Sequence, residues 1–219
     1  MTDFAHARSE MIEGQIRPSG VFDLDLLSAL RKTPREVFLS DDQKEFAYLD
    51  AEQKLSSSDN RQMPTPAITA KLIELAEVGA GDIVLDIACG TGYSTAILAL
   101  LANSVVALET DDDLVAQANL ALAELNISNA AVVQGPLTKG VSKEAPFDAI
   151  LIQGAVDEIP KALFDQLRDG GRLVAVIGSG NSATAVLHVK SGDHIAQIPS
   201  FNASVPRLSD FDKKPKFTF

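Results

Sequence analysis

Apolar and polar residues alternate along the chain in blocks that predict strands and helices in turn from residue 82 onward. Short apolar runs predict strands at 83–87, 105–108, 131–133, 147–152 and 173–177, and a late hairpin at 186–189 and 195–198. Stretches with apolar residues every three or four positions predict helices at 93–102, 111–125 and 160–167, the last expected to stop at Asp169-Gly170-Gly171. This alternation predicts an α/β fold, with a doubly wound, mostly parallel sheet that ends in an antiparallel hairpin.

The first fifty residues have helical periodicity. Asp23 is a typical N-cap for the helix that follows it. The apolar face of that helix is expected to comprise Leu24, Leu27 and Leu30. We therefore predict an N-terminal helical part before the α/β region.

Residues 50–65 lack apolar periodicity and are rich in turn-forming residues, so they predict a loop that can close over a ligand. Thr65-Pro66 then has the pattern of an N-cap followed by proline at the first helical position. The buried stripe of this helix is expected to be Ile68, Leu72, Leu75 and Ala76. We expect a single domain over 1–219, with a helical part and loop at 1–65 and an α/β core at 66–219.

Composition and charge narrow the classes of function. Hydrophobic residues make up 46% of the chain and aromatic residues only 5%, which suits a parallel sheet packed with small and branched aliphatic side chains. The net charge of -11 disfavours nucleic acid and anionic membranes as partners. The basic cluster near the C-terminus, Lys213, Lys214 and Lys216, is too short to reverse that balance.

Cysteine usage and hydropathy predict a cytoplasmic location. Cys89 is the only cysteine, so an internal disulfide is impossible and a reducing compartment is expected. The N-terminal residues 1–15 lack the apolar stretch of a signal peptide. The longest apolar run, 96–102, is too short to span a membrane. His6, His188 and His194 lack metal-ligand spacing, so no metal site is expected.

The sharpest chemical motif is the stretch 84–93, Val-Leu-Asp-Ile-Ala-Cys-Gly-Thr-Gly-Tyr. A buried strand enters a turn of small residues and then a helix, so a ligand can approach the backbone at the carboxyl end of the strand. A dinucleotide fingerprint requires a third glycine where this chain has Thr95. Asp86 would repel a pyrophosphate but attract the ammonium of a methionyl group. The turn therefore favours S-adenosylmethionine, with Asp86, Ala88, Gly90 and Gly92 as cofactor-binding candidates.

Residues at the ends of three further strands extend this candidate site. Glu109 ends the second strand, where an acid can accept both hydroxyls of a ribose, and Thr110 follows it. Gly135, Pro136 and Leu137 follow the third strand and are candidates for adenine contact through backbone and apolar groups. Gln153 ends the fourth strand and is a candidate contact to cofactor or substrate.

These motifs resemble those of the protein-L-isoaspartate O-methyltransferase family. Residues 84–96 look like motif I of class I methyltransferases, and the more specific likeness lies outside that motif. It is carried by Met11, Gln15-Ile16, Gly20-Val21, Asp23, Pro34-Arg35-Glu36, Phe38, Ala47-Tyr48, Asp50, Pro146 to Ile150 and Glu158-Ile159-Pro160. The resemblance implies a cytoplasmic, Rossmann-like enzyme that uses S-adenosylmethionine to methylate isoaspartyl carboxylates in damaged proteins.

One segment departs from the family pattern. The family carries a Thr-Ile-Ser-Gln-Pro-like stretch before the helix at Ile68, and aligning its proline with Pro66 puts Pro64 at the serine position. Proline has neither a hydroxyl nor an N–H. Thr65 and Ser56 to Ser58 are the nearest hydroxyls, and Asp59-Asn60-Arg61 is expected to form a different loop. Arg61 is a candidate to pair with the substrate carboxylate instead, so Arg61 and Thr65 are the active-site candidates of this loop.

The departure leaves two alternatives open beside isoaspartyl methylation. One is a relative with the same fold and cofactor but a different methyl acceptor. The other is a cofactor-binding protein with a sensing or regulatory role and no catalysis. A nicotinamide-dependent dehydrogenase is disfavoured by Thr95 and Asp86.

Overall fold

The computed structural model describes residues 3–55 and 61–213. A seven-stranded sheet forms its centre. Its strands are β3 Ile83–Ile87, β4 Ser104–Glu109, β5 Ala130–Gln134, β6 Phe147–Val156, β7 Leu167–Ile177, β8 Thr184–Ser191 and β9 His194–Asn202. They lie side by side in the order β5-β4-β3-β6-β7-β8-β9. Strands β3 to β7 pair in parallel, whereas β8 and β9 add antiparallel. The predicted fold class is therefore confirmed, including the late hairpin.

Six α-helices and a small hairpin surround this sheet in the described residues. The helices are α1 Phe4–Met11, α2 Leu24–Lys32, α3 Pro66–Leu75, α4 Tyr93–Leu101, α5 Asp112–Glu124 and α6 Lys161–Asp165. The hairpin pairs β1 Gln53–Lys54 with β2 Gln62–Met63, antiparallel. No helix of the described residues has the length and apolar character needed to cross a membrane.

Two helix starts match their sequence signals. The Asp23 carboxylate accepts from the backbone N–H of Leu26 at 2.7 Å, and the Thr65 hydroxyl accepts from Ile68 at 3.4 Å. The predicted apolar face of α2 was wrong at one position, because Leu24 is 76% exposed. Helical side chains lean toward the N-terminus, so the first residue after the cap projects past the packed face. The buried face is Leu26, Leu27, Ala29 and Leu30.

The stripe predicted for α3 is only partly buried as expected. Leu72 and Ala76 are buried, while Ile68 and Leu75 are half-buried and pack against the core. The fully packed side also includes Ala70 and Ile73.

The segment predicted as helix 160–167 is divided between two elements. Helix α6 ends at Asp165, and β7 begins at Leu167, which pairs with Phe147. The next pair in register is Ala149 with Arg172, so residues 168–171 bulge out of the strand. Gly170, with φ 75°, belongs to this bulge and does not stop a helix. The Gln166 carbonyl accepts from the backbone N–H of Phe147 at 2.8 Å, so the chain joins the sheet before it reaches Gly170 and Gly171.

Both faces of the sheet are buried. Along β6, Ala149 and Leu151 pack into one apolar cluster, and Ile150 and Ile152 pack into the other. The larger cluster also contains residues of the N-terminal helical part, such as Met11. Since β3 to β6 run in parallel, their carboxyl ends meet at one edge of the sheet, where the candidate site lies.

Candidate active site

The turn between β3 and α4 has an unusual backbone. Ala88, Gly90 and Gly92 adopt φ values of 61°, 59° and 94°. Glycine takes this left-handed conformation without a steric penalty, whereas Ala88 is strained by it. Gly92 caps α4 and faces Ala118 of α5, so it serves the turn and helix packing. Ala88 and Gly90 instead face a cavity.

That cavity is small, with a volume of about 20 Å³, and lies between the turn and the β1–β2 hairpin. Its wall is formed by Leu55, Gln62, Met63, Pro64, Thr69, Ala88, Cys89, Gly90, Tyr93, Ser94 and Gln153. A Cβ added to Gly90 would lie 2.6 Å from Cδ1 of Leu55. The absence of a side chain at Gly90 therefore lets the hairpin lie directly on the turn.

Asp86 lies beneath this cavity and not on its wall. Its carboxylate is fully buried and accepts hydrogen bonds of 2.7 Å from Ser94, Thr95 and Gln153. Burial raises the pKa of the Asp86 carboxyl, and those three donors partly counteract the rise. Because Ser94 and Gln153 do line the cavity, Asp86 fixes two of its polar groups.

Glu109 occupies the carboxyl end of β4, as its place in the sequence predicts. It is fully buried and accepts from the backbone N–H of Gly90 at 2.9 Å and of Thr110 at 2.8 Å. The guanidinium of Arg61 completes the environment with two hydrogen bonds of 3.0 Å and 2.7 Å. The Glu109 carboxylate thus connects the end of β4 to the turn that follows β3.

The residues after β5 sit beside Glu109. Gln134 pairs with Glu109 in register, and the N–H of Gly135 donates to the Glu109 carbonyl at 2.9 Å. Pro136 is exposed and Leu137 is buried. The Thr110 side chain is also exposed, so its contribution to the site is its backbone.

The two candidates in the loop have different surroundings. The Arg61 side chain is paired with Glu109, whereas the Thr65 hydroxyl caps α3. Ser56 to Ser58, Asp59 and Asn60 lie outside the described residues. Pro64 lines the cavity, and its carbonyl accepts from Nη2 of Arg35 at 2.7 Å.

Several wall residues were not among the predicted site residues. Tyr93 and Ser94 open α4, and Thr69 lies one turn into α3. The hydroxyl side chains after the glycine turn were the available signal for Ser94, since side chains in a first helical turn point back toward the preceding loop. Leu55 had no such signal, because its role depends on the hairpin folding back over Gly90.

Two other residues are packed into the core. Cys89 is buried in the turn, and burial raises the pKa of its thiol well above the ordinary value, which keeps it protonated and unreactive. His188 lies in β8, within the predicted hairpin, and is buried against Phe164. Burial lowers the pKa of the His188 imidazole.

Comparison with known proteins gives one consistent result. The family model for Protein-L-isoaspartate(D-aspartate) O-methyltransferase (PCMT) matches residues 6–204. The protein-L-isoaspartate O-methyltransferase of Methanoculleus marisnigri is 39% identical over 192 residues, which are 88% of this chain and 86% of that protein.

Solved structures agree with the sequence relatives. A structure of a protein-L-isoaspartate O-methyltransferase superposes with a TM-score of 0.82 at 25% identity, over 92% of this chain and 66% of that chain. A Plasmodium falciparum beta-aspartate methyltransferase, crystallised with S-adenosyl-L-homocysteine, superposes with a TM-score of 0.77 at 19% identity over 96% of this chain and 100% of that chain, and so shares its fold.

Proposed function

This chain belongs to the protein-L-isoaspartate(D-aspartate) O-methyltransferase family and is an S-adenosylmethionine-dependent O-methyltransferase, and we propose that it esterifies isoaspartyl carboxylates of proteins at the cavity beside Gly90. The observation that carries the assignment of the site is the buried Glu109 carboxylate, which is hydrogen-bonded to Gly90 at the carboxyl ends of β3 and β4. A buried carboxylate at this point of a doubly wound sheet is suited to accept ribose hydroxyls.

The residues present fit the cofactor. Ala88 and Gly90 bring the backbone to the cavity wall, and Ser94 and Gln153 add polar groups suited to a methionyl moiety. Asp86 acts through those two side chains and contributes a nearby negative charge that favours a positively charged sulfur. Gly135, Pro136 and Leu137 follow the strand next to Glu109, which suits them to contact adenine.

The chemistry asks mainly for positioning. When bound, S-adenosylmethionine would supply a methyl group on a positively charged sulfur, for transfer to an oxygen of the acceptor carboxylate, with S-adenosylhomocysteine as the second product. An aspartyl-type carboxylate is ionised at neutral pH, because its pKa is about 4. The protein therefore needs no general base, and its residues have to hold the carboxylate in line with the methyl group.

The proposal also covers the methyl acceptor and the cellular compartment of the protein. In this proposal the acceptor carboxylate lies at the part of the cavity wall formed by Pro64, where the family pattern has a serine. Cys89 is free and buried, which suits a reducing compartment. We therefore propose that the protein acts on damaged proteins in the cytoplasm. A different acceptor and a non-catalytic cofactor-binding role are the outcomes against which the proposal is tested.

The test is transfer of a labelled methyl group from S-adenosylmethionine to an isoaspartyl peptide, beside the same peptide with normal aspartate. We expect ester only on the isoaspartyl peptide. S-adenosylhomocysteine binding is measured in parallel on the wild type and on Glu109→Gln, with Asp111→Asn as a nearby control. Cofactor-product binding without transfer to either peptide would rule out isoaspartyl methylation, and undiminished binding by Glu109→Gln would rule out the ribose assignment.

A further inference from the structure

Glu109, the residue proposed to bind the cofactor ribose, already forms an ion pair with Arg61. Nη1 and Nη2 of Arg61 donate to Oε1 and Oε2 of Glu109 at 3.0 Å and 2.7 Å. Arg61 is 9% exposed and Glu109 is 0% exposed, so the pair is shielded from water. A buried, two-pronged ion pair of this kind is among the stronger charge-assisted contacts in proteins.

The Glu109 carboxylate has no acceptor position to spare in this arrangement. A carboxylate accepts about four hydrogen bonds, two on each oxygen. Oε2 accepts from Gly90 and Arg61, and Oε1 accepts from Arg61, from Thr110 and, at 3.4 Å, from the backbone N–H of Asp111. The donors from Gly90, Thr110 and Asp111 are backbone groups, fixed by the turn after β3 and by the segment that follows β4. Two ribose hydroxyls can therefore enter only at the positions that Arg61 fills.

We propose that Arg61 leaves Glu109 when the cofactor ribose binds, and that its guanidinium then binds the acceptor carboxylate. The inference rests on the proposed function, since it assigns the ribose to Glu109 and a carboxylate to the acceptor. A displaced guanidinium in a shielded site is costly without a new anion. The planar guanidinium of Arg61 can donate two parallel hydrogen bonds to the acceptor carboxylate, as it does to Glu109.

The position of Arg61 keeps the released side chain near the cavity. The N–H of Leu55 donates to the Arg61 carbonyl at 2.8 Å, which fixes Arg61 in the hairpin that covers the turn. The two residues that follow it, Gln62 and Met63, line the cavity. An acceptor carboxylate entering there approaches the charges of Asp86 and Glu109, so a neighbouring cation offsets the repulsion.

This exchange orders the two binding events. Before the cofactor binds, Glu109 holds Arg61 away from the acceptor. After the cofactor binds, Arg61 is available and the acceptor site is complete. Because coupling between two ligands is reciprocal, each should strengthen the binding of the other.

The first experiment measures S-adenosylhomocysteine binding by calorimetry on the wild type, Arg61→Ala and Arg61→Lys. Removing the competing guanidinium should tighten binding about tenfold in Arg61→Ala, and Arg61→Lys, which cannot form the two-pronged contact, should be intermediate. Arg172→Ala is the matched control, because Arg172 pairs with Asp82 at the opposite edge of the sheet. Equal or weaker binding in folded Arg61→Ala and Arg61→Lys would overturn the exchange.

The second experiment needs no variant to be informative. Binding of a fluorescent isoaspartyl peptide is measured on the wild type with and without saturating S-adenosylhomocysteine. We expect binding about tenfold tighter with it, and loss of this difference in Arg61→Ala together with a higher KM for the peptide. A wild type that methylates the peptide but shows no coupling would overturn the exchange and leave the proposed function intact. A wild type that binds no S-adenosylhomocysteine would overturn both.

Discussion

The guanidinium carbon of Arg35 lies 4.7 Å from the centre of the Tyr93 ring. Arg35 is fully buried, and its Nη2 also donates to the Pro64 carbonyl. Its Nε and Nη1 find no hydrogen-bond partner within 3–55 and 61–213. Burial lowers the pKa of Arg35 from its ordinary value, with the Tyr93 contact opposing that change. One buried cation thus joins the N-terminal helical part to two walls of the cavity.

Arg35→Lys should lower the free energy of unfolding by about 1–3 kcal/mol, because a buried polar contact is lost and lysine cannot stack on Tyr93 while reaching Pro64. Urea unfolding followed by circular dichroism measures the change. Arg168→Lys, at a half-exposed ion pair with Asp148, is the control and should change little. An unchanged midpoint for Arg35→Lys would show that the stacking and the Pro64 contact contribute nothing.

Pro64→Ser should lower the KM for an isoaspartyl peptide by about threefold, the effect of about 0.6 kcal/mol of added binding. Serine keeps the carbonyl that Arg35 holds and adds a hydroxyl to the cavity wall. Steady-state methyl transfer at fixed cofactor concentration gives the KM, and Pro64→Ala separates the hydroxyl from the loss of the ring. Equal KM values for the serine and alanine variants would mean that the hydroxyl does not reach the acceptor.

Comparing the wild type with Asp86→Asn tests how the buried Asp86 carboxyl makes stability depend on pH. Burial raises the pKa of Asp86 above 3.8, so the folded chain keeps a proton that the unfolded chain has released between 3.8 and the raised value. The contribution of Asp86 to stability is therefore fully present below 3.8 and is lost as the pH rises through the folded pKa. We expect the wild type to gain stability relative to Asp86→Asn as the pH falls from neutral toward that range. Urea unfolding gives the free energy of unfolding of both proteins at each pH. A constant difference between these two free energies from neutral pH down to 3.8 would refute the raised pKa of Asp86.

Ala88→Gly should stabilise the fold by about 0.5–1 kcal/mol, because glycine removes the cost of a left-handed alanine but loses more chain entropy on folding. Thermal unfolding measures the gain. Ala96→Gly is the matched control: Ala96 is also buried but lies inside α4, where the change to glycine should destabilise by about 1 kcal/mol or more. If both variants lost stability equally, the turn at Ala88 would not be strained.

The sequence by itself determined the elements and the edge of the sheet at which the site lies. Alternating periodicities mark strands and helices because each element buries one face or stripe, and Asp23 and Thr65 mark helix starts because their side chains satisfy backbone N–H groups a few residues away. The position of Glu109 followed in the same way, since the carboxyl ends of neighbouring parallel strands meet at one edge.

The tertiary structure alone decided which side chains meet at that edge. Arg61 reaches Glu109 across 48 residues of chain, and Gln153 reaches Asp86 across 67. It also decided that Leu24 faces outward and that residues 168–171 bulge from β7. Such pairings depend on the packing of distant elements and on which buried charges and donors remain to be satisfied once they are packed, and no local pattern carries that information.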